Sequence, residues 1–140
     1  MGIGVAWGGG EQLVGTPFRL VVPGSETGGH AVLLAVDMPP GLHVDPHVHD
    51  DEDQINVVVS GQARFRVGEQ ETVLGPGGVL LMPRGIEHEL WNESDGFAQI
   101  IEIYTPPGME QRFTAAGLAA AAAGKGSADG NDYAKVREVR

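Results

Sequence analysis

Three histidines carry the clearest chemical signal in this sequence. His47 and His49 are separated by one residue, and His88 lies far along the chain, just after a Pro-x-Gly turn. Side chains at positions i and i+2 of an extended strand share one face, so the first two imidazoles point towards the same place. A third imidazole from a distant strand would complete a set of nitrogen ligands suited to Fe, Mn, Ni, Cu or Zn. The spacing therefore predicts one divalent transition-metal ion as the cofactor.

Two glycine-bounded segments contain these histidines, and both resemble the conserved motifs of the cupin superfamily. The first motif, G-x5-H-x-H-x3,4-E-x6-G, is matched at four of its five fixed positions, by Gly41, His47, His49 and Gly61. The second motif, G-x5-P-x-G-x2-H-x3-N, is matched throughout, by Gly77, Pro83, Gly85, His88 and Asn92. A spacer of 15 residues separates the two motifs. The resemblance covers residues 41–92 and extends loosely from about 16 to 113.

The resemblance implies an all-β fold, the cupin barrel, which is a double-stranded β-helix with jelly-roll-like topology. It also implies that His47, His49, His88 and the residue at the glutamate position hold the metal. The chain is similar in type to small single-domain cupins, including quercetin dioxygenase-like proteins. Such cupins act on or bind a small molecule, and they are commonly homodimers, so a small-molecule ligand and a homodimer are expected.

Gln54 is the one departure from the first motif, because it stands where cupins normally have glutamate. Asp53 or Glu52 could turn inward in another register, but only Gln54 satisfies both the gap after His49 and the gap before Gly61. A neutral amide would weaken cation affinity, strengthen Lewis acidity and favour an anionic ligand. Gln54 is therefore either a fourth metal ligand or a hydrogen-bond partner beside a three-histidine centre.

Three classes of function follow from the resemblance. The first is a metal-dependent dioxygenase acting on a small enol or phenolic compound. The second is a non-redox cyclase, isomerase or lyase in which the cation stabilises an enolate, and Gln54 favours it because no carboxylate base stands at that position. The third is a non-catalytic cupin that binds a small molecule.

Composition limits the remaining possibilities. With 140 residues the chain is long enough for one domain, and its 22 glycines and 9 prolines suit a turn-rich β protein. The absence of cysteine excludes disulfides and thiolate metal sites. A formal net charge of -10 predicts no binding to nucleic acid. The sequence shows neither a long apolar run nor a leader pattern, so we expect no membrane association and a cytoplasmic location.

Hydrophobic alternation and turn residues predict the elements that position the histidines. Strands are expected at residues 12–22, 31–37, 55–60, 63–67, 72–74, 79–82, 89–92 and 99–104. We predict a single cupin domain over residues 1–140, with a barrel core at about 12–107. The alanine run Ala119 to Ala123 predicts a short C-terminal helix within a helical tail over residues 108–140.

Several other residues are expected to serve structure alone. His30 and His43 have no motif support and are predicted to be ordinary loop or strand histidines. Asn92 is expected to make hydrogen bonds at a strand end, and Gly61, Gly77 and Gly85 to provide positive φ or close approach. The large apolar side chains near the motifs are expected to lie in the core or line a pocket: Phe65, Leu81, Trp91 and Phe97.

Overall fold

The computed structural model describes residues 4–13 and 16–112, and ten strands account for about half of that part of the chain. They are β1 (Glu11–Gln12), β2 (Phe18–Val22), β3 (Val32–Met38), β4 (His43–His47), β5 (Asp53–Ser60), β6 (Ala63–Val67), β7 (Gln70–Leu74), β8 (Val79–Met82), β9 (His88–Trp91) and β10 (Ala98–Thr105). A 3-10 turn spans Gly24–Glu26, and one turn of α-helix, α1, spans Met109–Arg112.

The strands form two antiparallel sheets. One has six strands in the order β1-β2-β3-β10-β5-β8, and the other has four in the order β4-β9-β6-β7. From β3 onward the chain passes repeatedly from one sheet to the other, so the two sheets enclose a common interior. This is a double-stranded β-helix, and the predicted all-β barrel is confirmed. No helix in the described residues is long and apolar enough to cross a membrane.

Seven of the eight predicted strands are found with ends within two residues of those expected. The predicted continuous strand over residues 12–22 is wrong, because β1 and β2 are separate strands that pair as a hairpin. Gln12 Nε2 donates to the carbonyl oxygens of Thr16 at 3.0 Å and Phe18 at 2.9 Å, which holds the turn closed. Pro17 in this turn has no N–H to contribute to a strand ladder. Strand β4 is not among the strands predicted above, and it contains Pro46.

The C-terminal end of the described chain packs against the barrel. Met109 is buried, and the carboxylate of Glu110 accepts a hydrogen bond from the backbone N–H of Gly24 at 3.0 Å. Residues 113–140 lie outside the described residues, so the predicted C-terminal helix and tail stay a prediction beyond the single turn Met109–Arg112.

The two inner sheet faces share an apolar core that includes Leu34, Val58, Phe65 and Ile100. The core position expected for Phe65 is confirmed, but Leu81 and Phe97 are 57% and 59% exposed, so that expectation was wrong for them. Leu81 alternates with Leu80 and Met82 on β8, and this alternation turns its side chain to the outer face of the six-stranded sheet.

Candidate metal centre

Two neighbouring strands of the four-stranded sheet bring the motif histidines together. His47 ends β4 and His88 begins β9, and the two residues are directly paired across the sheet. His49 follows two residues after the end of β4. The ring centroids lie 4.3 Å apart for His47 and His88, 4.8 Å for His47 and His49, and 5.2 Å for His49 and His88. All three rings are buried, and their ligand atoms lie within 4.8 Å of one another, so they could hold one metal ion.

A register shift in β4 turns His47 towards the interior. Val44 pairs with Leu90 and His47 pairs with His88, so three steps on β4 match two on β9. Such a bulge changes which face of the strand the following residue occupies. Pro46 lies within the bulge, where a missing N–H interrupts no ladder bond. As a result His47 shares the inner face with Val44, although alternation alone would place it with His43.

His43 consequently lies on the outer face of the same sheet. Its ring stacks on Trp91 with centroids 5.1 Å apart, and its Nε2 lies 2.8 Å from the carboxylate of Glu89. The prediction that His43 has an ordinary structural role is confirmed by these contacts. Trp91 is half-buried under this ring rather than in the core.

The turn of the second motif positions His88 against the first motif. Gly85 has a φ of 76°, a conformation that favours glycine, and its N–H donates to the carbonyl oxygen of His49 at 2.9 Å. The N–H of Ile86 donates to the Pro83 carbonyl oxygen at 3.2 Å and closes the turn. At the far end of β9, the Asn92 amide donates to the carbonyl oxygens of Met38 and Gly96, both at 2.8 Å, which confirms its predicted strand-end role.

Hydrogen bonds to backbone carbonyls set the tautomers of two histidines. His47 Nδ1 lies 2.6 Å from the carbonyl oxygen of Asp45, and His88 Nδ1 lies 3.2 Å from that of Ile86. Because a carbonyl oxygen only accepts, each Nδ1 carries the proton and each Nε2 keeps a lone pair. His88 Nε2 is buried and has no hydrogen-bond partner among the described residues.

Burial also keeps His88 uncharged. Removal from water lowers the pKa of His88 to about 4, so its ring is neutral near pH 7. A metal ion requires neutral imidazole with a free lone pair. The nitrogen donors of these histidines therefore suit a divalent first-row transition metal such as Fe, Mn, Ni, Cu or Zn.

The facing wall of the interior is formed by β5 and β10 and carries Gln54. The side chain of Gln54 is buried, and its Nε2 donates to Asn56 Oδ1 at 2.8 Å. This bond leaves Oε1 as the acceptor atom, and Oε1 has no hydrogen-bond partner among the described residues. Of the two alternatives considered from the sequence, Asp53 accepts hydrogen bonds from the guanidinium and the backbone N–H of Arg84 on the outside. Glu52 is buried, but its carboxylate does not join the three histidines in the group of possible metal ligands. Coordination of the metal by Gln54 stays a prediction.

Three further polar residues of this wall escaped the sequence analysis: Asn56, Glu102 and Tyr104. In the β5–β10 pairing, Tyr104 lies opposite Gln54 and Glu102 lies opposite Asn56. The Tyr104 hydroxyl donates to Glu102 Oε1 at 2.6 Å, and the Tyr104 ring meets the His49 ring edge to face at 5.6 Å. The signal that could have found Glu102 is the period-two alternation of β10, which places a charged residue on its apolar face.

Comparisons with known proteins agree with this geometry. Residues 34–104 match the sequence profile of the cupin domain family. The uncharacterized protein SCO3923 of Streptomyces coelicolor is 31% identical over 75 residues, which are 54% of this chain and 68% of that protein.

Solved structures share the fold. A Klebsiella pneumoniae protein with a double-stranded β-helix domain superposes with a TM-score of 0.59 at 21% identity, over 71% of this chain and 84% of that one. A predicted oxalate decarboxylase of Thermotoga maritima superposes with a TM-score of 0.61 at 18% identity, over 64% of this chain and 78% of that one. With the profile match over half of the sequence, the motifs and the barrel, the chain belongs to the cupin domain family.

Proposed function

We propose that this cupin binds one divalent transition-metal ion (Fe, Mn, Ni, Cu or Zn) through His47, His49 and His88, and acts on a small organic molecule. The observation that carries the proposal is the convergence of three buried imidazoles within 4.8 Å of one another. Within the described residues, no aspartate or glutamate joins this group. With neutral imidazoles and the neutral amide of Gln54, the charge of the cation is not balanced by its ligands, which favours an anionic oxygen of the small molecule as a further ligand.

The reaction that we propose first is dioxygenation of a small enol or phenolic compound. The ion, when bound, would supply Lewis acidity and, for a redox-active metal, electron transfer. The chain supplies the three histidines that hold it and an apolar surround that includes Met82 and Leu90 and excludes water.

A second candidate is a non-redox cyclase, isomerase or lyase. Two observations favour it: an amide replaces the motif carboxylate at Gln54, and Tyr104 and Glu102 form a hydrogen-bonded pair at 2.6 Å beside His49. A phenol and a carboxylate together can hold a proton near a reacting enolate.

Substrate turnover with and without oxygen separates these candidates. The metal-loaded protein is incubated with a panel of enols, phenols and keto acids while oxygen consumption and product formation are followed. Conversion coupled to oxygen uptake supports the dioxygenase, and conversion under argon supports the non-redox enzyme. Saturable binding without conversion identifies a non-catalytic cupin.

The double variant His47→Ala, His49→Ala should lose conversion in either case, whereas His30→Ala, on an exposed turn, should retain it. Conversion that survives in the double variant contradicts the proposed function.

We also propose that two copies associate through the outer face of the six-stranded sheet. Exposed apolar side chains lie on that face or at its edge: Val59, Val79, Leu81 and Phe97. Apolar patches of this kind mark contacts between chains. Light scattering during size-exclusion chromatography should give the mass of a dimer, and Val79→Lys with Leu81→Lys should give a monomer. A monomeric wild-type protein at about 100 μM would contradict the dimer.

The cytoplasmic location and the absence of nucleic-acid binding stay predictions from the sequence.

A further inference from the structure

A buried carboxylate lies on the inner face of β10. The buried residues of this strand alternate, and Glu102 lies on the same face as Ile100 and Tyr104, which belong to the core. The residue is 2% exposed. Burial of an ionised carboxylate is costly unless nearby positive charge or hydrogen bonds compensate for it. A glutamate at this position therefore calls for an explanation beyond packing.

Glu102 lies in the same part of the interior as the histidines. Its Oε1 accepts a hydrogen bond from the Tyr104 hydroxyl at 2.6 Å, and the Tyr104 ring contacts the His49 ring at 5.6 Å. Across the sheet Glu102 faces Asn56, which accepts the hydrogen bond from Gln54. Tyr104 therefore lies between the Glu102 carboxylate and His49, and Asn56 lies between it and Gln54.

Two other carboxylates near the motifs are engaged on the outer wall. Glu89 accepts a hydrogen bond from Arg66 at 2.6 Å, and Asp53 from Arg84 at 3.1 Å. Their negative charge is therefore directed to arginines outside the barrel, whereas Glu102 projects inward.

We propose that Glu102 supplies the negative charge that the cupin motif normally places at position 54, and so raises the affinity of the site for a dication. The proposal rests on the proposed function, in that the three histidines hold the ion. Glu102 acts at a distance, as a positioning residue through Tyr104 and through the weakly screened interior, and not as a ligand. This role of Glu102 explains how the chain tolerates an amide at Gln54. The side chain at position 54 is neutral, and the compensating negative charge lies on the neighbouring strand.

Zinc titration of the metal-free protein against a chromophoric chelator tests this role. Glu102→Gln keeps the size of the side chain and an acceptor for Tyr104, and should raise the Kd for Zn²⁺ by about tenfold or more. Tyr104→Phe, which keeps the ring and removes the hydroxyl, should weaken binding by a smaller factor. Asp37→Asn, which removes a carboxylate paired with Arg19, is the control and should leave the Kd unchanged.

Thermal unfolding with and without Zn²⁺ distinguishes this electrostatic role of Glu102 from a purely structural one. Glu102→Gln should raise the Tm of the metal-free protein, because a buried charge is removed, and should reduce the rise in Tm that Zn²⁺ produces. A structural role predicts a lower Tm without metal and an unchanged rise.

The possible failures are distinguishable. A wild-type protein that binds no Zn²⁺, or whose binding persists in His47→Ala, His49→Ala, overturns the proposed function together with this inference. Normal wild-type binding with an unchanged Kd in Glu102→Gln overturns this inference alone, as does an equal loss in Glu102→Gln and Asp37→Asn.

Discussion

The two ends of the barrel interior are built from opposite kinds of side chain. At one end the inward residues of β10 and β5 are apolar, with Ile100 paired to Val58. Two residues further along β10, the pairing of Glu102 with Asn56 begins a polar end that also holds Gln54. The four-stranded sheet divides in the same way, since Val44 pairs with Leu90 at the apolar end and His47 with His88 at the polar end.

This division separates stability from chemistry. Each fully buried apolar side chain contributes about 1.5–3 kcal/mol to folding, so the apolar end stabilises the barrel. Buried polar atoms that lack partners cost free energy, and two of them, His88 Nε2 and Gln54 Oε1, lie at the polar end. A ligand that satisfies such atoms stabilises the folded state by mass action. The polar end is therefore a site that an ion completes.

Removal of two histidines should have the largest effect on the polar end. His47→Ala with His49→Ala leaves one of three imidazoles, so stoichiometric binding of Zn²⁺ should be lost, with a Kd increased by at least about 1000-fold. Isothermal titration calorimetry measures the change, and His30→Ala serves as the control. Comparable Kd values in the double variant and in wild type would place the ion elsewhere.

A cavity at the apolar end should affect stability instead. Phe65 is fully buried, and Phe65→Ala should reduce the free energy of unfolding by about 3–5 kcal/mol in urea titrations of the metal-free protein. Ile100→Val is the milder companion and should cost about 1 kcal/mol. In the folded milder variant the Kd for Zn²⁺ should match that of wild type. A large loss of metal affinity there would show that the two ends are not separate.

Acid should destabilise the metal-free protein through the polar end first. The folded pKa of His88 is about 4, below the ordinary 6.5, so between these values the unfolded chain binds a proton that the folded chain does not. Stability should fall as pH drops from about 7 to 4, by about 3 kcal/mol from this group. A hydrogen bond from Arg64 lowers the pKa of Glu93 from its ordinary 4.5, so the stabilising effect of this carboxylate is lost as pH falls from about 4.5 towards its lower folded pKa.

Urea titrations at several pH values measure this profile. His88→Gln should flatten it between pH 6.5 and 4.5 relative to wild type. Identical slopes for the two proteins in this window would show that His88 is not neutral in the folded state.

A negative ligand at position 54 should have the smallest effect. Gln54→Glu restores the cupin motif and should lower the Kd for Zn²⁺ by about tenfold if the side chain coordinates the ion. Chelator competition measures the change. A weaker affinity in this variant would argue that Gln54 does not coordinate.

The histidine site and most of the barrel could be predicted because their signals are local. The HxH spacing, the Pro-x-Gly turn before His88 and the alternation of β6 each depend on a few neighbouring residues. The expectation that both histidines of HxH lie on one strand was wrong in detail, because β4 ends at His47. Glu102 could not be placed beside the site, because its position depends on the pairing of β10 with β5, which are distant in sequence. The outward position of His43 depends on a bulge that alternation does not reveal. Leu81 is exposed because it alternates with the buried Met82 on β8 and lies on the outer face of the sheet.

Anomalous diffraction from a crystal of the protein purified with its native metal tests the central claim most directly. We expect one anomalous peak per chain inside the barrel, at about 2.0–2.2 Å from the Nε2 atoms of His47, His49 and His88. A peak elsewhere on the molecule would contradict the account. So would a crystal grown with the ion in which the three histidine rings bind no metal and point away from one another.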